Sequence, residues 1–439
     1  VIPTGLAGAP SGPGGQAVQT DSSGSVYLGT IVESPDTDWD IVVRKYSADG
    51  TTELWTQHFE VEGRQSFREL AIDESGQSIY LVGSYRDFNP FQPGATSVGN
   101  FDIYVAKLST HDGSVQWHRS WGTSADEFGS GIEVSNGSVY VTGRVGPGEI
   151  DFDGTIISGQ NGNDSEAIVL KIDAESTNGQ VVWAKQSNGG ANAADIAVSH
   201  SASNETWVTI GGYVSNDVSF DAVGLSTTER SLFVARLIDI GEDATFTWAR
   251  SFRSDGDFKA IASDEAGIYA TGDLRLRDGG QVDFGPGFSM EGRDDSDAYL
   301  LRLNHHDGST VWANQIGGAL QDKVSGLTTD GANDQLIVTG GFQDTAEFGS
   351  GVKLTSHGSF DSFAGAFNTS DGSLRNLRRM GGSLSDFLSV PSYHAGWVYA
   401  SGRSDSPYAE FPVSAIGTTD DAFVDLSAEP SGTFLTRFR

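Results

Sequence analysis

The chain has 439 residues, of which 57 are glycine and 12 proline, and 59 acidic against 27 basic side chains give a formal charge of −32. Such a field repels phosphate backbones and anionic lipid headgroups, which argues against nucleic-acid and membrane-surface partners. Cysteine is absent, which removes disulfides, thiolate zinc sites, iron–sulfur clusters and cysteine nucleophiles together.

The opening stretch 1–16, "VIPTGLAGAPSGPGGQ", is rich in Gly and Pro and reads as a linker or ring-closing tail. Because it starts at Val1 and not Met, we expect that a signal peptide or upstream region has already been removed. No apolar run approaches the length needed to cross a bilayer, so no membrane insertion is expected.

From residue 17 onward the chain repeats itself, and the repeats set the fold class. Trp55, Trp117, Trp183, Trp248 and Trp312 recur at intervals of 62, 66, 65 and 64 residues. A strand of the type V-Y-x-x-G appears in seven copies, from "SVYLGT" at 25–30 through "SVYVTGR" at 138–144 to "WVYASGR" at 397–403. Asp40, Asp102, Glu166, Asp297, Asp361 and Asp421 open an alternating run in six copies, with Ser231 in the remaining one. Five positions later stand Lys45, Lys107, Lys171, Arg236 and Arg302, then Ala366 and Leu426.

Each repeat reads as four short strands, since β-branched and aromatic residues alternate and Asp/Asn/Gly clusters supply turns. Helical periodicity is lacking, so almost no helix is expected. The predicted fold is all-β, a seven-bladed β-propeller of four-stranded antiparallel blades occupying 17–439 as one domain. The repeats run at about 17–59, 65–122, 125–190, 192–253, 256–318, 321–382 and 384–439. The glycine that ends the second strand fits a place where a side chain would obstruct neighbouring backbone. The irregular stretches lie between second and third strands, as at 86–100, 145–164 and 275–296. They should emerge on one face and carry recognition.

The succession shown by "DFKAIASDEAGIYATGD" at 257–273 with "DSDAYLLRLNHHDGSTVW" at 295–312 resembles the SBBP-type bacterial β-propeller repeat. The loop "EFGSGVKLTSHGSFD" at 347–361 fits the same pattern. That resemblance spans all the repeats and implies an extracellular or cell-surface propeller without a shared active site. A more distant likeness, through "TNGQVVW" at 177–183, is to quinoprotein-type propellers. The quinone-dependent enzymes of that kind usually have eight blades and a vicinal cysteine pair, which this chain does not match. Sialidase-type Asp-boxes do not fit, because "THDGSVQW" at 110–117 places glycine directly after the aspartate.

Candidate chemistry is weighed against this repetition. The third-strand acids recur with the blade and are expected to accept backbone N–H groups and fix the incoming loop. Asp126, Asp257, Asp322 and Asp386 precede first strands, where turn chemistry is favoured over a cation site. Asp36, Asp38 and Asp40 in "DTDWD", with Asp294, Asp295 and Asp297 in "GRDDSD", are the calcium candidates. Neither run has the glycine and twelfth-position glutamate of an EF-hand. "DFDG" at 151–154 is a weaker acidic loop. His111, His305 and His306 sit in Asp-Gly turns, where a solvent-facing role is expected. No G-x-S-x-G elbow, Walker loop or dinucleotide fingerprint occurs.

The functional expectation is a secreted, periplasmic or cell-surface non-catalytic scaffold that engages a protein or glycan partner through loops of one face, with calcium stiffening acidic loops. The competing expectation is a carbohydrate-active enzyme, a lyase or glycoside hydrolase, with carboxylates on one face. It requires acids that break the repeat register and meet across blades.

Overall fold

Alternating apolar residues at period two need partners on both sheet faces, and the observed sheets supply them by stacking. The structure is a computed structural model that describes residues 2–3, 17–34, 36–73, 75–160, 165–275, 280–292, 296–406, 409–416, 423–424 and 432–438. Among these residues there is no helix. The protein is an all-β chain of the β-propeller class, built from successive antiparallel blades.

A representative blade comprises Phe128–Ser135, Ser138–Val145, Glu166–Asp173 and Val181–Asn188, paired in that order. The blade before it uses Gly63–Ile72, Ser78–Asp87, Asp102–Ser109 and Val115–Trp121. Third strands start at Asp102, Glu166, Ser231, Asp297 and Asp361, as the recurrent acid predicts. The core lies between adjacent blades, where Val82, Val105 and Trp117 of one meet Ile132, Val141 and Leu170 of the next.

The chain comprises two compact units. One holds 10–229 and 234–249; the other holds 1–9, 230–233 and 250–439.

The V-Y-x-x-G glycine has the predicted cause. A Cβ on Gly143 would lie 2.1 Å from the carbonyl oxygen of Phe128, and one on Gly272 would lie 1.9 Å from that of Asp257. In each case the oxygen belongs to the adjacent first strand, which bulges at that point. The tyrosine of the same motif packs on the recurrent tryptophan, as in Tyr80–Trp117 at 6.0 Å and Tyr140–Trp183 at 6.2 Å between ring centres.

The phrase from acid to tryptophan proves to be a clamp between neighbouring blades. Lys107 Nζ donates to the Ala174 carbonyl at 2.7 Å, and Lys45 Nζ and Trp55 Nε1 both donate to the Thr110 carbonyl at 3.0 Å. Arg302 and Trp312 repeat this on Thr369, at 3.1 and 2.9 Å. The Asp-Gly turn delivers that carbonyl. Gly113, at φ +72°, rests against the Trp55 ring, where a Cβ would come within 2.9 Å. His305 departs from its expected role: it is buried, and its Nε2 meets the Asp264 carbonyl at 2.6 Å.

The connections between second and third strands have a structural role as well. Most are hairpins that cover the outer edge of the preceding blade. Phe220 of one pairs with Ser187, Phe152 of another packs on Trp121 at 5.3 Å, and Phe284 packs on Phe252 at 5.3 Å. An uncovered fourth strand is an edge open to aggregation, and these hairpins blunt it.

The final sheet corrects one register. The third strand paired with Trp397–Ser404 is Gly432–Phe438, not a run opening at Asp421, which lies outside the described residues. Its outer neighbour is the N-terminal strand Ile2–Pro3, with Ile2 opposite Leu435. Residues 2–3, within the stretch expected as a linker or ring-closing tail, thus form the outer strand of this sheet.

Candidate functional site

The recurrent third-strand acids are occupied in holding the loop that precedes them. Asp102 Oδ2 accepts the Val98 N–H at 2.9 Å, Glu166 Oε1 that of Gln160 at 2.9 Å, and Asp361 Oδ2 that of His357 at 2.9 Å. Asp40 accepts from the Thr37 hydroxyl of its preceding loop and from the Val61 N–H beyond its fourth strand at 3.3 Å, and Asp297 accepts from the Gln315 amide of the fourth strand. Burial raises the Asp40 and Asp102 carboxyls above their ordinary range. Two of the six calcium candidates are therefore in structural use.

Asp36 and Asp38 are exposed and line a cleft of about 650 Å³ together with Glu33, Glu62 and Asp87. Asp294 and Asp295 lie outside the described residues. Among the described residues, no three His, Asp or Glu side chains come together in a way that could hold a metal ion. Asp153 of the weaker acidic loop is paired with Arg119 at 2.7 Å.

The acids preceding first strands divide in two. Asp322 and Asp386 are buried turn residues whose own N–H groups donate to the Ser296 and Phe360 carbonyls at 2.8 and 2.9 Å. In the representative blade this role belongs to Glu127, with its N–H 2.7 Å from the Phe101 carbonyl, and not to the exposed Asp126. Asp257 stands one place further on and is free of the turn. It is held by Arg230 at 3.1 Å and Arg275 at 3.0 Å, while Lys259 lies 3.8 Å from it and 3.5 Å from Asp273. Burial works against the charged form of Asp257, but Lys259, Arg230 and Arg275 hold its carboxyl below the ordinary range. Burial raises Asp273.

Sequence reasoning missed a pocket that lies at the same end of the blades as the second-to-third connections. It measures about 240 Å³ and is lined by Trp39, Arg64, Gln65, Ser66, Arg68, Phe101 and Phe128. Trp39 and Phe101 each directly precede a third-strand acid, and Phe128 opens a first strand. The Phe101 and Phe128 rings lie 5.1 Å apart, with Arg144 4.5 Å above Phe128 and Arg64 4.3 Å above Trp39. These are cation–π distances. Arg144 is further fixed by Asn192 Oδ1 at 2.8 Å. Arg68 keeps accessible surface although protein surrounds it on most sides, as suits a side chain projecting into a narrow space. Burial, and then the like charge of Arg144, hold its guanidinium below its usual pKa.

Close to Arg68 in the chain is a second feature. Glu69 and Asp195 occupy one register in their blades and flank Gly131 of the blade between. A Cβ on Gly131 would lie 3.0 Å from Asp195 Oδ1, and Glu69 Oε2 accepts the Ile132 N–H at 2.9 Å. Burial, and then the charge of Asp195, raise Glu69 well above the carboxylate range. These two acids break the repeat and meet across blades.

No protein-family model matches the chain, and no curated protein does. Among solved structures it is similar to the quinohemoprotein alcohol dehydrogenase of Comamonas testosteroni, at 11% identity and a TM-score of 0.41, over 89% of this chain and 70% of that one. It is similar to the hydrazine synthase of Kuenenia stuttgartiensis at 10% identity and 0.49, over 100% and 99%. A europium-containing methanol dehydrogenase gives 9% and 0.38, over 92% and 84%. At such identities and scores the likeness carries no substrate, cofactor or activity to this chain, and the propeller class rests on the blades themselves.

Proposed function

We propose that the chain closes as a seven-bladed propeller and serves as a secreted or cell-surface, non-catalytic binding module of SBBP type. It engages a glycan, or a protein that carries one, through the end of the blades where the aromatic pocket opens. The observation that carries this reading is the pocket of Trp39, Phe101 and Phe128 under the guanidinium groups of Arg64 and Arg144. A clamp and a packed core account for the other repeated side chains, whereas these rings line open space. Flat apolar walls with a few polar groups are the usual make-up of a ligand site. The test is retention on a glycan array, with Trp39→Ala and Phe128→Ala as losses and Val98→Ser, at an exposed loop position, as the silent control. Retention unchanged in both pocket variants would remove the reading.

Calcium stiffening of the acidic loops belongs to the same proposal at the level of Asp36, Asp38, Asp294 and Asp295. Saturating chelator is expected to lower the melting temperature, and an unchanged melt discards it.

A second reading, a lyase or glycoside hydrolase, is favoured by one observation, the Glu69–Asp195 pair. Two neighbouring carboxyls, one of them shifted upward by burial and by its partner, are a common starting point for acid and base roles in sugar chemistry. New reducing ends or unsaturated products from a polysaccharide, lost in Glu69→Gln, would support it; none across a broad panel would end it.

A further inference from the structure

We propose that the pocket of Trp39, Arg64, Gln65, Arg68, Phe101 and Phe128 selects a uronic acid, a sugar ring that carries a carboxylate. This rests on the reading of that pocket as the binding site and adds the chemical class of its ligand.

Charge gives the first argument. The chain carries 59 acidic side chains against 27 basic ones, so a cation has many partners to choose from. Arg64 and Arg68 nevertheless line one small pocket, and neither makes an ion pair among the described residues. The neighbouring charge that acts on Arg68 is another cation, Arg144. Like charges crowded into one pocket without a counter-ion repel each other, and an anion entering the pocket relieves that repulsion. Arg64 lies over the Trp39 ring at 4.3 Å, a stacking that leaves the edge of a planar guanidinium available for a carboxylate.

Shape and hydrogen bonding narrow the anion. Three aromatic rings form the walls, which suits the C–H faces of a saturated ring more than a bare ion. Gln65 is fully buried, and its amide nitrogen donates to the Val61 and Gly63 carbonyls at 3.1 and 3.0 Å. Its amide oxygen has no donor among the described residues. A buried acceptor left unpaired is expensive, and a hydroxyl satisfies it after a small movement. Sites for drug-sized molecules begin at about 300 Å³, so a pocket of about 240 Å³ admits one ring. Sulfate lacks the ring and benzoate lacks the hydroxyls. A uronate supplies carboxylate, apolar faces and hydroxyls together.

The experiment is calorimetric titration of the full chain with trigalacturonate and triglucuronate, their methyl esters, a neutral glucose trisaccharide, benzoate and sulfate. At least one acid is expected to bind about tenfold or more tightly than its ester, with the preference shrinking as salt is raised. Arg68→Gln should weaken the acid by about tenfold and leave the ester unchanged, since it removes one charge-assisted contact. Circular dichroism confirms that each variant is folded. Equal binding of acid and ester, both lost in Trp39→Ala, overturns the uronate assignment and keeps the pocket. Acid binding indifferent to both Arg68→Gln and Trp39→Ala overturns the pocket as well. Benzoate or sulfate matching the acid, or no acid binding at all, also overturns the uronate assignment.

Discussion

Two places in the chain use the same backbone register for opposite chemistry. In one, Phe101 precedes a third-strand acid, and its ring lies 5.1 Å from Phe128 at the start of the next first strand. In the other, Arg230 precedes Ser231 and pairs at 3.1 Å with Asp257, which stands where Phe128 would. Opposite Phe128 is Arg144; opposite Asp257 is Asp273. The Phe360–Phe387 pair, at 5.5 Å, follows the aromatic version. The scaffold therefore fixes where these residues stand and leaves open what they are. Positions that serve blade packing repeat, whereas those at this end of the blades vary. Function is sought where the repeat fails.

The largest test of that division is at the scaffold itself. Gly143→Ala and Gly272→Ala should each cost about 3 kcal/mol or more in denaturant melts, because the added carbon meets a backbone carbonyl that cannot step aside. Gly224→Ala, with open space around it, should stay within about 0.5 kcal/mol. A mild Gly272→Ala would mean that the two places do not share one scaffold.

Next comes the variable register. Asp257→Ala removes the anion shared by Arg230, Lys259 and Arg275 and should cost about 2 kcal/mol at neutral pH. Its folded pKa is depressed, so its contribution is complete above the unfolded value and is lost as pH falls through the folded one. Wild type and variant should therefore converge below about pH 4. Phe128→Ala should cost about 1 kcal/mol without that pH dependence. Identical pH profiles would break the contrast. Deleting residues 1–3 removes the outer partner of Gly432–Phe438 and should cost roughly 1–2 kcal/mol for the two residue pairs involved. A thermal melt measures it.

Much of the scaffold was legible because it repeats. The acid at the head of the third strand, the tryptophan of the fourth and the glycine of the second each perform one job at every recurrence, so spacing alone exposes them. His305 was misread because the turn that exposes His111 also brings its neighbour position against the preceding loop, as Thr110 does by donating to Gly76. That the hairpins between second and third strands also cover a neighbouring strand was not legible, because nothing in their own sequence names the strand they cover. The pocket was hidden for the opposite reason. Trp39, Arg68 and Phe128 come from three successive repeats, and although Trp39 and Phe101 share the place before a third-strand acid, the arginines beside them follow no repeated pattern. Glu69 and Asp195 are 126 residues apart, and only the stacking of blades on either side of Gly131 joins them.

That pair carries the smallest prediction and the one of opposite sign. The Glu69 carboxyl is raised well above the carboxylate range by burial and then by Asp195, with a weaker push from Glu133, against the pull of the Ile132 N–H. A folded pKa above the unfolded one means that the native state binds more protons, so stability falls as pH rises from the unfolded value. Glu69→Gln keeps an oxygen for Ile132 and removes the titration. The variant should match wild type below about pH 4 and become the more stable of the two as pH rises. Asp195→Asn should produce part of the same gain, and the double variant less than the sum, because each change relieves the same repulsion. Additive gains would show that the two carboxyls do not interact, and a destabilised Glu69→Gln at neutral pH would show that Glu69 is ionised and paired. Either result would detach the pair from the sugar chemistry proposed for it.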